Sequence, residues 1–464
     1  MTPRLKSASA LIAACLLTAT ARGQPYVEDS IDVGGAWVGS MCYNSRADVI
    51  YGRCQTAGLF WAIACSTNQV VSSFYVPTPR IMVYDSLDNK AYCTFTTGEA
   101  DSVLVVDGST HRRLRAIELE WAATPVWDPV DNRVWVSCTE ANEVACIDCR
   151  TDSIICHIAV GAGPLKMHLN TRRRKLYVQN YDEGSVSIID LNANRVLRTL
   201  PTGDYPQSGC YSYYADKYYC DGGGRVTVID GRGDSVIGRI VLPAQSSATA
   251  MVSEDSGSLL LVGIYGGHNN LIYVVDAQTD SVKSTLTGCD GPVAFVWSRP
   301  TNLVYCASDY SDAVLAISGD GSRVIATLSA SDAPFALCLS PVQRRVYVGH
   351  LNSSRIYVIR DSAAAVREGV VSRIRQDSAT RIRPSVFCGQ ARVECDSGEP
   401  NAALRVYAQD GRLVRSLPLQ RRGNGRLRAV WDGRDSRGRD VPAGVYFVSE
   451  TGGATTRTKI VKLK

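Results

Sequence analysis

The sequence is poor in the residues that helical cores and metal sites use most. Its 464 residues include 5 Met and 5 His, against 39 Gly and 22 Tyr. Abundant Gly and Tyr with few Met favour strands and tight turns over helix bundles. The histidines are scattered without the spacing of metal ligands, at His111, His157, His168, His268 and His350. The composition therefore predicts an all-β protein and indicates no bound metal ion or other cofactor.

A large excess of one charge is also missing. The net charge of +5 is too small to argue for a nucleic-acid partner. The charge is nevertheless uneven. Residues 384–464 contain 15 basic and 8 acidic side chains, a net +7, which leaves −2 for the rest of the chain.

Long apolar runs are confined to the N-terminus, so the sequence predicts no transmembrane segment after signal removal. A short basic region precedes an apolar run from Ala8 to Ala21 and then small residues, which is the pattern of a signal peptide over residues 1–23. Residues 12–15 also resemble a lipoprotein cleavage box, so lipid anchoring through Cys15 is the alternative. Either pattern predicts an exported protein, secreted or held on the outer cell surface.

The sixteen cysteines fit an oxidising compartment. Removal of Cys15 leaves an odd number, so at least one thiol must be free or paired outside the chain. Cys210 and Cys220 flank a short hairpin and form one candidate disulfide. Cys388 and Cys395 form a second.

Cys146 and Cys149 form a Cys-x-x-Cys motif, but Arg150 stands where covalent haem attachment needs His. With Cys138 and Cys156 nearby, a zinc site is conceivable. Disulfides or buried thiols are the preferred interpretation.

An internal repeat is the strongest signal in the sequence. A strand of one small or charged residue, one aliphatic residue and one aromatic or aliphatic residue returns about every 42 residues. Its third position is occupied in turn by Tyr51, Tyr92, Trp135, Tyr177, Tyr219, Leu261, Tyr305 and Tyr347. A second apolar strand follows and often ends in aspartate, at Asp107, Asp148, Asp190, Asp230 and Asp276. Each unit thus has four short strands, and stacking such units around an axis buries both faces of every sheet.

These repeats resemble the YVTN family of β-propellers, whose consensus has a Tyr-Val strand and a Val-Ile-Asp strand at this spacing. The resemblance implies a β-propeller over residues 26–361. Eight motifs predict eight blades, with seven as the alternative if the unit around Tyr51 is irregular. Residues 26–33 resemble a detached outermost strand, and we expect them to pair with the blade of Tyr347 and Tyr357 and so close the ring.

A linker is predicted over residues 362–383, and a different strand pattern begins at residue 384. Its most specific string contains Trp431, Asp432, Gly433, Gly438, Pro442, Gly444 and Tyr446. We expect Trp431 to anchor a core and the three glycines to lie in turns. Short alternating strands predict a small β-sandwich over residues 384–464.

The string resembles the Ig-like domain shared by flagellar hook-capping proteins and by the C-terminal sorting domains of type IX secretion cargo. That resemblance implies contact with the secretion machinery, passage through an outer membrane and attachment to or release from the surface. An accessory structural sandwich is the alternative.

Three other motifs have structural explanations. Arg232-Gly233-Asp234 matches an integrin-type adhesion tripeptide but aligns with hairpin turns of sister repeats. Arg172-Arg173-Arg174 lies at another hairpin turn, and Gly222-Gly223-Gly224 precedes no helix that would cradle a phosphate.

No catalytic set of residues emerges from the sequence. The favoured function is therefore a non-catalytic surface or secreted binding protein, whose propeller face binds an unknown protein or polymer. The alternative is a propeller enzyme, similar to lactonases or quinoproteins, with its site at the central axis.

Overall fold

The computed structural model describes residues 24–98, 101–254, 257–266 and 270–362, followed by eight shorter segments: 381–383, 386–387, 391–395, 403–408, 413–421, 427–442, 444–450 and 458–462. The predicted signal peptide with Cys15, most of the predicted linker, and Cys388 lie outside the described residues. The chain divides into two compact units, residues 1–367 and 368–464.

The first unit is an eight-bladed β-propeller. Within its described residues, 32 strands form eight four-stranded antiparallel sheets. The N-terminal strand is β1 (Tyr26–Asp32). Blade 1 contains β2 (Met41–Asn44), β3 (Val49–Cys54), β4 (Leu59–Ala64) and β5 (Gln69–Tyr75), and blade 2 contains β6 (Pro79–Asp85), β7 (Lys90–Thr96), β8 (Asp101–Asp107) and β9 (Arg113–Glu118). Blade 3 contains β10 (Ala122–Asp128), β11 (Arg133–Cys138), β12 (Glu143–Asp148) and β13 (Ser153–Ala159). Blade 4 contains β14 (Pro164–Asn170), β15 (Lys175–Asn180), β16 (Ser185–Asp190) and β17 (Arg195–Pro201).

Blades 5 to 8 follow the same order. Blade 5 contains β18 (Gly209–Ser212), β19 (Lys217–Gly222), β20 (Arg225–Asp230) and β21 (Val236–Val241), and blade 6 contains β22 (Ser246–Ser253), β23 (Leu259–Gly266), β24 (Leu271–Asp276) and β25 (Ser281–Leu286). Blade 7 contains β26 (Pro292–Ser298), β27 (Leu303–Ser308), β28 (Ala313–Ser318) and β29 (Val324–Ser329). Blade 8 contains β30 (Pro334–Ser340), β31 (Arg345–His350) and β32 (Arg355–Arg360). The unit around Tyr51 is a regular blade, so eight blades are confirmed and the seven-bladed alternative is wrong.

The two middle strands of each blade are buried on both faces, because neighbouring blades stack against them. In β12, Val144, Ala145, Cys146 and Ile147 are all inaccessible to solvent. Alternate residues of one strand therefore belong to the cores on either side of the blade, as Ala145 and Cys146 do. This double burial explains why the middle strands are almost continuously apolar.

The ring is closed by strands from its two ends. β1 pairs antiparallel with β32, with Ser30 opposite Tyr357, and becomes the outermost strand of blade 8. The Glu28 carboxylate fixes this junction, because it accepts hydrogen bonds from Arg345 at 2.8 Å and Arg360 at 2.5 Å. The predicted closure of the propeller is confirmed.

A recurring polar contact, here called the blade clamp, fastens each of several blades to the next. A lysine and an aromatic residue of the second strand of one blade bind an aspartate in the last turn of the next blade. Lys90 Nζ and Tyr92 Oη donate to Asp152 at 2.9 and 2.7 Å. Lys217 and Tyr219 bind Asp280 in the same way, at 2.8 and 2.7 Å. The clamp thus explains why the repeat keeps a tyrosine and a distant aspartate.

Asp234 of the adhesion-like tripeptide occupies the clamp position of blade 5, where Lys175 binds it without the tyrosine. Its side chain is buried and accepts a 2.6 Å hydrogen bond from Lys175 Nζ. Its backbone N–H donates to Asp230 O at 3.1 Å, and its φ of 53° lies in the left-handed region that a turn requires. The interpretation of residues 232–234 as a hairpin turn is confirmed.

The aspartates that end the third strands are turn formers. Asp107 Oδ1 accepts backbone hydrogen bonds from Ser109 at 2.9 Å and Thr110 at 2.7 Å. Asp148, Asp190 and Asp276 accept equivalent bonds two residues ahead. These carboxylates are committed to their own turns.

The predicted Cys210–Cys220 disulfide is not formed. Cys210 lies opposite Tyr219, whereas Cys220 lies opposite Gly209. The one-residue offset sends the two side chains to opposite faces of the sheet, where they join different cores. Both thiols are free.

The second unit has two small sheets, in the orders β33-β35-β39-β38 and β34-β41-β40-β36-β37. Its strands are β33 (Arg381–Arg383), β34 (Val386–Phe387), β35 (Ala391–Cys395), β36 (Ala403–Ala408), β37 (Leu413–Pro418), β38 (Gln420–Arg421), β39 (Leu427–Trp431), β40 (Gly444–Glu450) and β41 (Thr458–Lys462). Leu404, Val406 and Val448 of one sheet pack against Ala429 and Trp431 of the other. The described part of this unit is thus a small β-sandwich. Among all described residues, none forms a helix long and apolar enough to cross a membrane.

Candidate functional site: the acidic face of the propeller

The two ends of the propeller differ sharply in charge. Antiparallel order places the loops after each second strand and the loops between blades at one end, here called the top face. The turns after each first and third strand lie at the other end, the bottom face. Hydrogen bonds from Tyr181 N to Gly163 O and from Tyr310 N to Asp290 O show the two kinds of top loop in contact.

The described residues of the top loops contain nine carboxylates and neither lysine nor arginine. The carboxylates are Glu120, Glu140, Asp182, Glu183, Asp204, Asp290, Asp309, Asp312 and Asp332. The described bottom turns also contain nine acidic residues, but ten arginines accompany them: Arg46, Arg112, Arg150, Arg172, Arg173, Arg174, Arg232, Arg299, Arg323 and Arg344. The loops of the top face therefore carry a negative charge that the bottom turns do not.

Large aromatic side chains accompany the acidic residues. Trp37, Trp121, Tyr205 and Tyr310 of the top loops are 47%, 49%, 60% and 65% exposed. The rings of Tyr265 and Tyr310 stack in parallel with centroids 5.2 Å apart. Such a surface attracts positively charged groups in two ways, because a cation is attracted to the face of an aromatic ring and to the negative charge of a carboxylate.

Trp121 has a left-handed backbone conformation, which is unfavourable for a residue with a side chain. It directly precedes the inner strand of blade 3 with a φ of 60°. In blades 4 and 7 the same position belongs to Gly163 and Gly291, with φ values of 67° and 72°. A left-handed backbone costs a residue with a side chain about 1–2 kcal/mol. In blades 2, 6 and 8 the same position is Thr78, Gln245 and Ala333, also at positive φ, so the left-handed turn is a feature of the repeat to which Trp121 adds an exposed indole.

A cavity of about 290 Å³ opens on the top face at blade 5. We call it the blade-5 pocket. Its walls include the carboxylates of Asp204 and Asp221, the rings of Tyr181 and Tyr205, and the guanidinium of Arg225. The two rings lie 5.1 Å apart. Gly222, Gly223 and Gly224 form part of the wall, and their lack of side chains leaves the backbone open to the cavity.

Asp221 is the most unusual group in this pocket. It is 3% exposed, and its Oδ1 accepts hydrogen bonds from the backbone N–H groups of Gln207 at 2.9 Å and Ser208 at 2.7 Å. In the part of the chain that the structure describes, it forms no ion pair. Burial raises the pKa of Asp221 to about 6, against the two N–H bonds and the charge of Lys166, which lower it. At neutral pH the pocket thus contains a buried, mostly ionised carboxylate whose charge Lys166 offsets only in part.

A buried aromatic cluster lies beside the pocket, between blades 4 and 5. The rings of Tyr177 and Tyr218 stack 4.3 Å apart, and His168 lies 5.5 Å from Tyr218. Among the residues that the structure describes, none forms a hydrogen bond with the Oη atom of either tyrosine or with Nε2 of His168. Burial lowers the pKa of His168 to about 3, so its imidazole is neutral at physiological pH. The alternative of an axial enzyme is not favoured by this arrangement, in which the groups pack as a core.

The four clustered cysteines do not form a metal site. Cys138 and Cys149 belong to one inter-blade core, whereas Cys146 and Cys156 belong to the core on the opposite face of the sheet. All four are free thiols. Among the described residues, no group of three or more His, Cys, Asp or Glu side chains is arranged to hold a metal ion.

In the C-terminal unit, the distinctive string forms one compact turn. Trp431 is fully buried, packs edge-on against Tyr446 at 5.0 Å and donates from Nε1 to Arg434 O at 2.9 Å. Tyr446 Oη donates to Pro442 O at 2.7 Å. Asp432 accepts a 2.8 Å hydrogen bond from Arg415.

The glycines of the string divide into two kinds. Gly433 and Gly438 have φ values of 74° and 75° and lie in turns. A Cβ on Gly433 would approach the Lys462 side chain to 2.8 Å. Gly444, expected in a turn, instead begins β40 and pairs with Lys462. Of the second predicted disulfide, Cys395 ends β35, and Cys388 lies outside the described residues.

Residues 386–454 match the family model of the FlgD Ig-like domain. The match covers the string and most of the C-terminal unit.

Two curated relatives match part of the propeller. Both are described as the uncharacterized protein YncE, one from Salmonella typhimurium and one from Salmonella typhi. Each is 28% identical to this chain over 129 residues, which is 26% of this chain and 36% of the relative. The chain thus matches about a third of the length of these relatives.

Two solved structures are similar in fold. One is the dihydro-heme d1 dehydrogenase NirN in complex with DHE, with a TM-score of 0.55 and 14% identity over 64% of this chain and 66% of that chain. The other is the hydrazine synthase of Kuenenia stuttgartiensis, with a TM-score of 0.50 and 15% identity over 72% and 98%. At these identities the similarity shows a propeller fold alone.

Proposed function

We propose that the protein is an exported, non-catalytic binding protein, whose top face is the binding surface. The observation that carries this proposal is the charge of the top loops, with nine carboxylates and, among their described residues, neither lysine nor arginine. Exposed aromatic rings on the same face supply contact area. Both features suit a positively charged partner. The repeated Lys and Asp side chains, with Tyr92 and Tyr219, are engaged in blade clamps, so they serve the scaffold.

The C-terminal unit extends this proposal to localisation. Its match to the FlgD Ig-like domain and its resemblance to sorting domains of type IX cargo support a role in secretion or surface attachment. Its net charge of +7 contrasts with the propeller and suits a separate task. We propose that the predicted signal peptide directs inner-membrane export and that residues 384–464 direct the later step.

The localisation is tested by fractionating cells that express the full chain or a chain without residues 384–464. We expect the shortened chain to remain in the periplasm with an unchanged propeller melting temperature, because blades are stabilised by neighbouring blades. Normal surface delivery of the shortened chain would exclude the sorting role. A lowered melting temperature would show that the C-terminal unit supports the propeller.

The binding surface is tested with a photo-crosslinking residue placed singly at Trp121 or at Leu87. Both positions are 49% exposed, but Trp121 lies on the top face and Leu87 on the bottom face. We expect protein or polymer adducts on intact cells from position 121, and their loss at high salt. Equal adducts from both positions, or adducts from position 87 alone, would reject the top face as the binding surface.

A further inference from the structure

The blade-5 pocket contains a buried carboxylate whose charge the protein offsets only in part. Asp221 is buried on the pocket wall, and its two hydrogen bonds come from neutral backbone N–H groups. A buried carboxylate whose charge is only partly offset destabilises the fold that holds it. Such groups cluster at functional sites, and a ligand of opposite charge would complete the compensation here.

The other walls of the pocket favour the same kind of ligand. Asp204 adds a second carboxylate at the solvent-exposed side, and it belongs to a top loop without basic residues. The rings of Tyr181 and Tyr205, 5.1 Å apart, present surfaces that attract a cation. Gly222 to Gly224 bring backbone without side chains to the pocket wall, which leaves room for the ligand.

The remaining charged groups around Asp221 are Lys166 and Arg225. The charge of Lys166 lowers the pKa of Asp221, although the two form no ion pair in the described residues. Arg225 is exposed on the rim, where its Nε approaches Gly223 O at 3.5 Å. Arg225 therefore opposes a cationic ligand weakly, and its removal provides a variant with the opposite expected effect.

We propose that the blade-5 pocket binds a small organic cation, an ammonium or guanidinium group on a short chain, packed against the contacting pair of Tyr181 and Tyr205 rings with its charge directed to Asp204 and Asp221. This rests on the proposed function, because it names the ligand class of one site on the binding face. The cavity of about 290 Å³ is large enough for a diamine or an arginine side chain and too small for a folded partner.

The experiment titrates the full chain with agmatine and putrescine by calorimetry. 1,4-Butanediol serves as the neutral probe and inorganic phosphate as the anionic probe. We expect saturable binding of both amines and no binding of butanediol or phosphate. Equal binding of butanediol would show that the rings, not the charge, select the ligand. Preferential binding of phosphate would show that Arg225 and the glycine backbone form an anion site. Either result overturns the proposal.

Variants separate the pocket from general attraction to an acidic face. Asp204→Asn and Asp221→Asn should weaken agmatine binding about five- to tenfold or more, whereas Arg225→Gln should strengthen it. Glu120→Gln is the matched control, because it removes one charge from the same face at another blade and should leave affinity unchanged. Asp204 is exposed, so its variant is informative even if Asp221→Asn alters folding. Equal weakening by Asp204→Asn and Glu120→Gln would reject the pocket.

The two proposals fail in different ways. If amines do not bind while adducts still form from position 121, the ligand class is wrong and the top face remains the binding surface. If amines bind but the position-121 adducts are absent, the pocket stands as a small-molecule site and the broader binding surface is rejected.

Discussion

Lys175 Nζ of blade 4 lies 2.6 Å from Asp234 Oδ1 of blade 5, and both side chains are nearly buried. The ammonium also donates to the backbone oxygens of Gly231 and Arg232, at 2.9 and 3.3 Å. A single ion pair thus holds the last turn of one blade against the second strand of the preceding blade. The aspartate of an adhesion-like tripeptide is thereby explained as part of the scaffold.

Asp234→Ala is expected to destabilise the propeller by about 3 kcal/mol, because it leaves Lys175 buried without its countercharge. Arg232→Ala, two residues away and exposed, should change stability by less than about 0.5 kcal/mol. Urea unfolding of the two variants checks this. Equal stability of the two variants would mean that the clamp does not contribute to stability.

Asp221→Asn is expected to raise stability at pH 7 by up to about 3 kcal/mol, since the folded protein holds this carboxyl at a pKa of about 6 against an ordinary value of 3.8. A raised folded pKa means that the protonated group favours the folded state, so this stability is present at low pH and is lost as the pH rises through 6. Melting temperatures from pH 4 to 8 should show the two proteins converging near pH 4. A pH-independent difference would contradict the assignment.

Glu28→Gln should have the opposite pH dependence. Arg345 and Arg360 hold the pKa of Glu28 below its ordinary value of 4.5, despite partial burial. Stability from a lowered pKa is present above the unfolded value and is lost as the pH falls through the folded value. We expect a loss of about 1 kcal/mol at pH 7 that disappears in acid. Glu120→Gln, which lies outside the ring junction, should show no such trend.

Cys146 and Cys156 are expected to form a disulfide when the protein is treated with a small-molecule disulfide. They lie directly opposite each other on β12 and β13, within disulfide range, and share one core. The two thiols lose two protons and two electrons, and the reagent is reduced to two thiols. Because burial raises the pKa of both, the reaction should be slow at neutral pH. Peptide mapping should find this bridge and not one between Cys210 and Cys220.

Trp431→Ala should unfold the C-terminal unit, with a loss of about 3–5 kcal/mol for the emptied core. Trp431→Phe should lose less, because it retains a ring against Tyr446 and removes mainly the hydrogen bond to Arg434 O. Calorimetry of the full chain should show the propeller transition unchanged in both variants. A lowered propeller transition would show that the two units fold together.

The repeat made much of the propeller predictable from the sequence. Each aromatic strand motif marks a second strand, because the position between two blades selects a large, buried ring such as Tyr92 or Tyr347. Even the closing strand could be recognised, since residues 26–33 had no blade of their own. The register of the strand pairing was not predictable. Cys210 and Cys220 are offset by one residue from positions that face each other, and the spacing of two cysteines along the chain does not reveal such an offset.

The candidate site was not recognised from the sequence, although a signal for it was present. Top and bottom loops alternate along the chain. A charge count over the whole chain therefore averages the acidic top loops with the mixed bottom turns and hides the difference between them. Once the repeat is divided into four strands, the missing lysines and arginines of every second loop become visible. Asp221 has no comparable signal, because its burial depends on the loop that supplies Gln207 and Ser208.

The pairing of Tyr26–Asp32 with Arg355–Arg360 also constrains the order in which the molecule can be completed. More than three hundred residues of chain separate these two strands, so we expect their pairing to be a late and slow step of folding. Until it pairs, β1 has both edges open, a state prone to aggregation. Glu28, Asp29 and Asp32 place three negative charges along it, which discourages pairing with other chains until then.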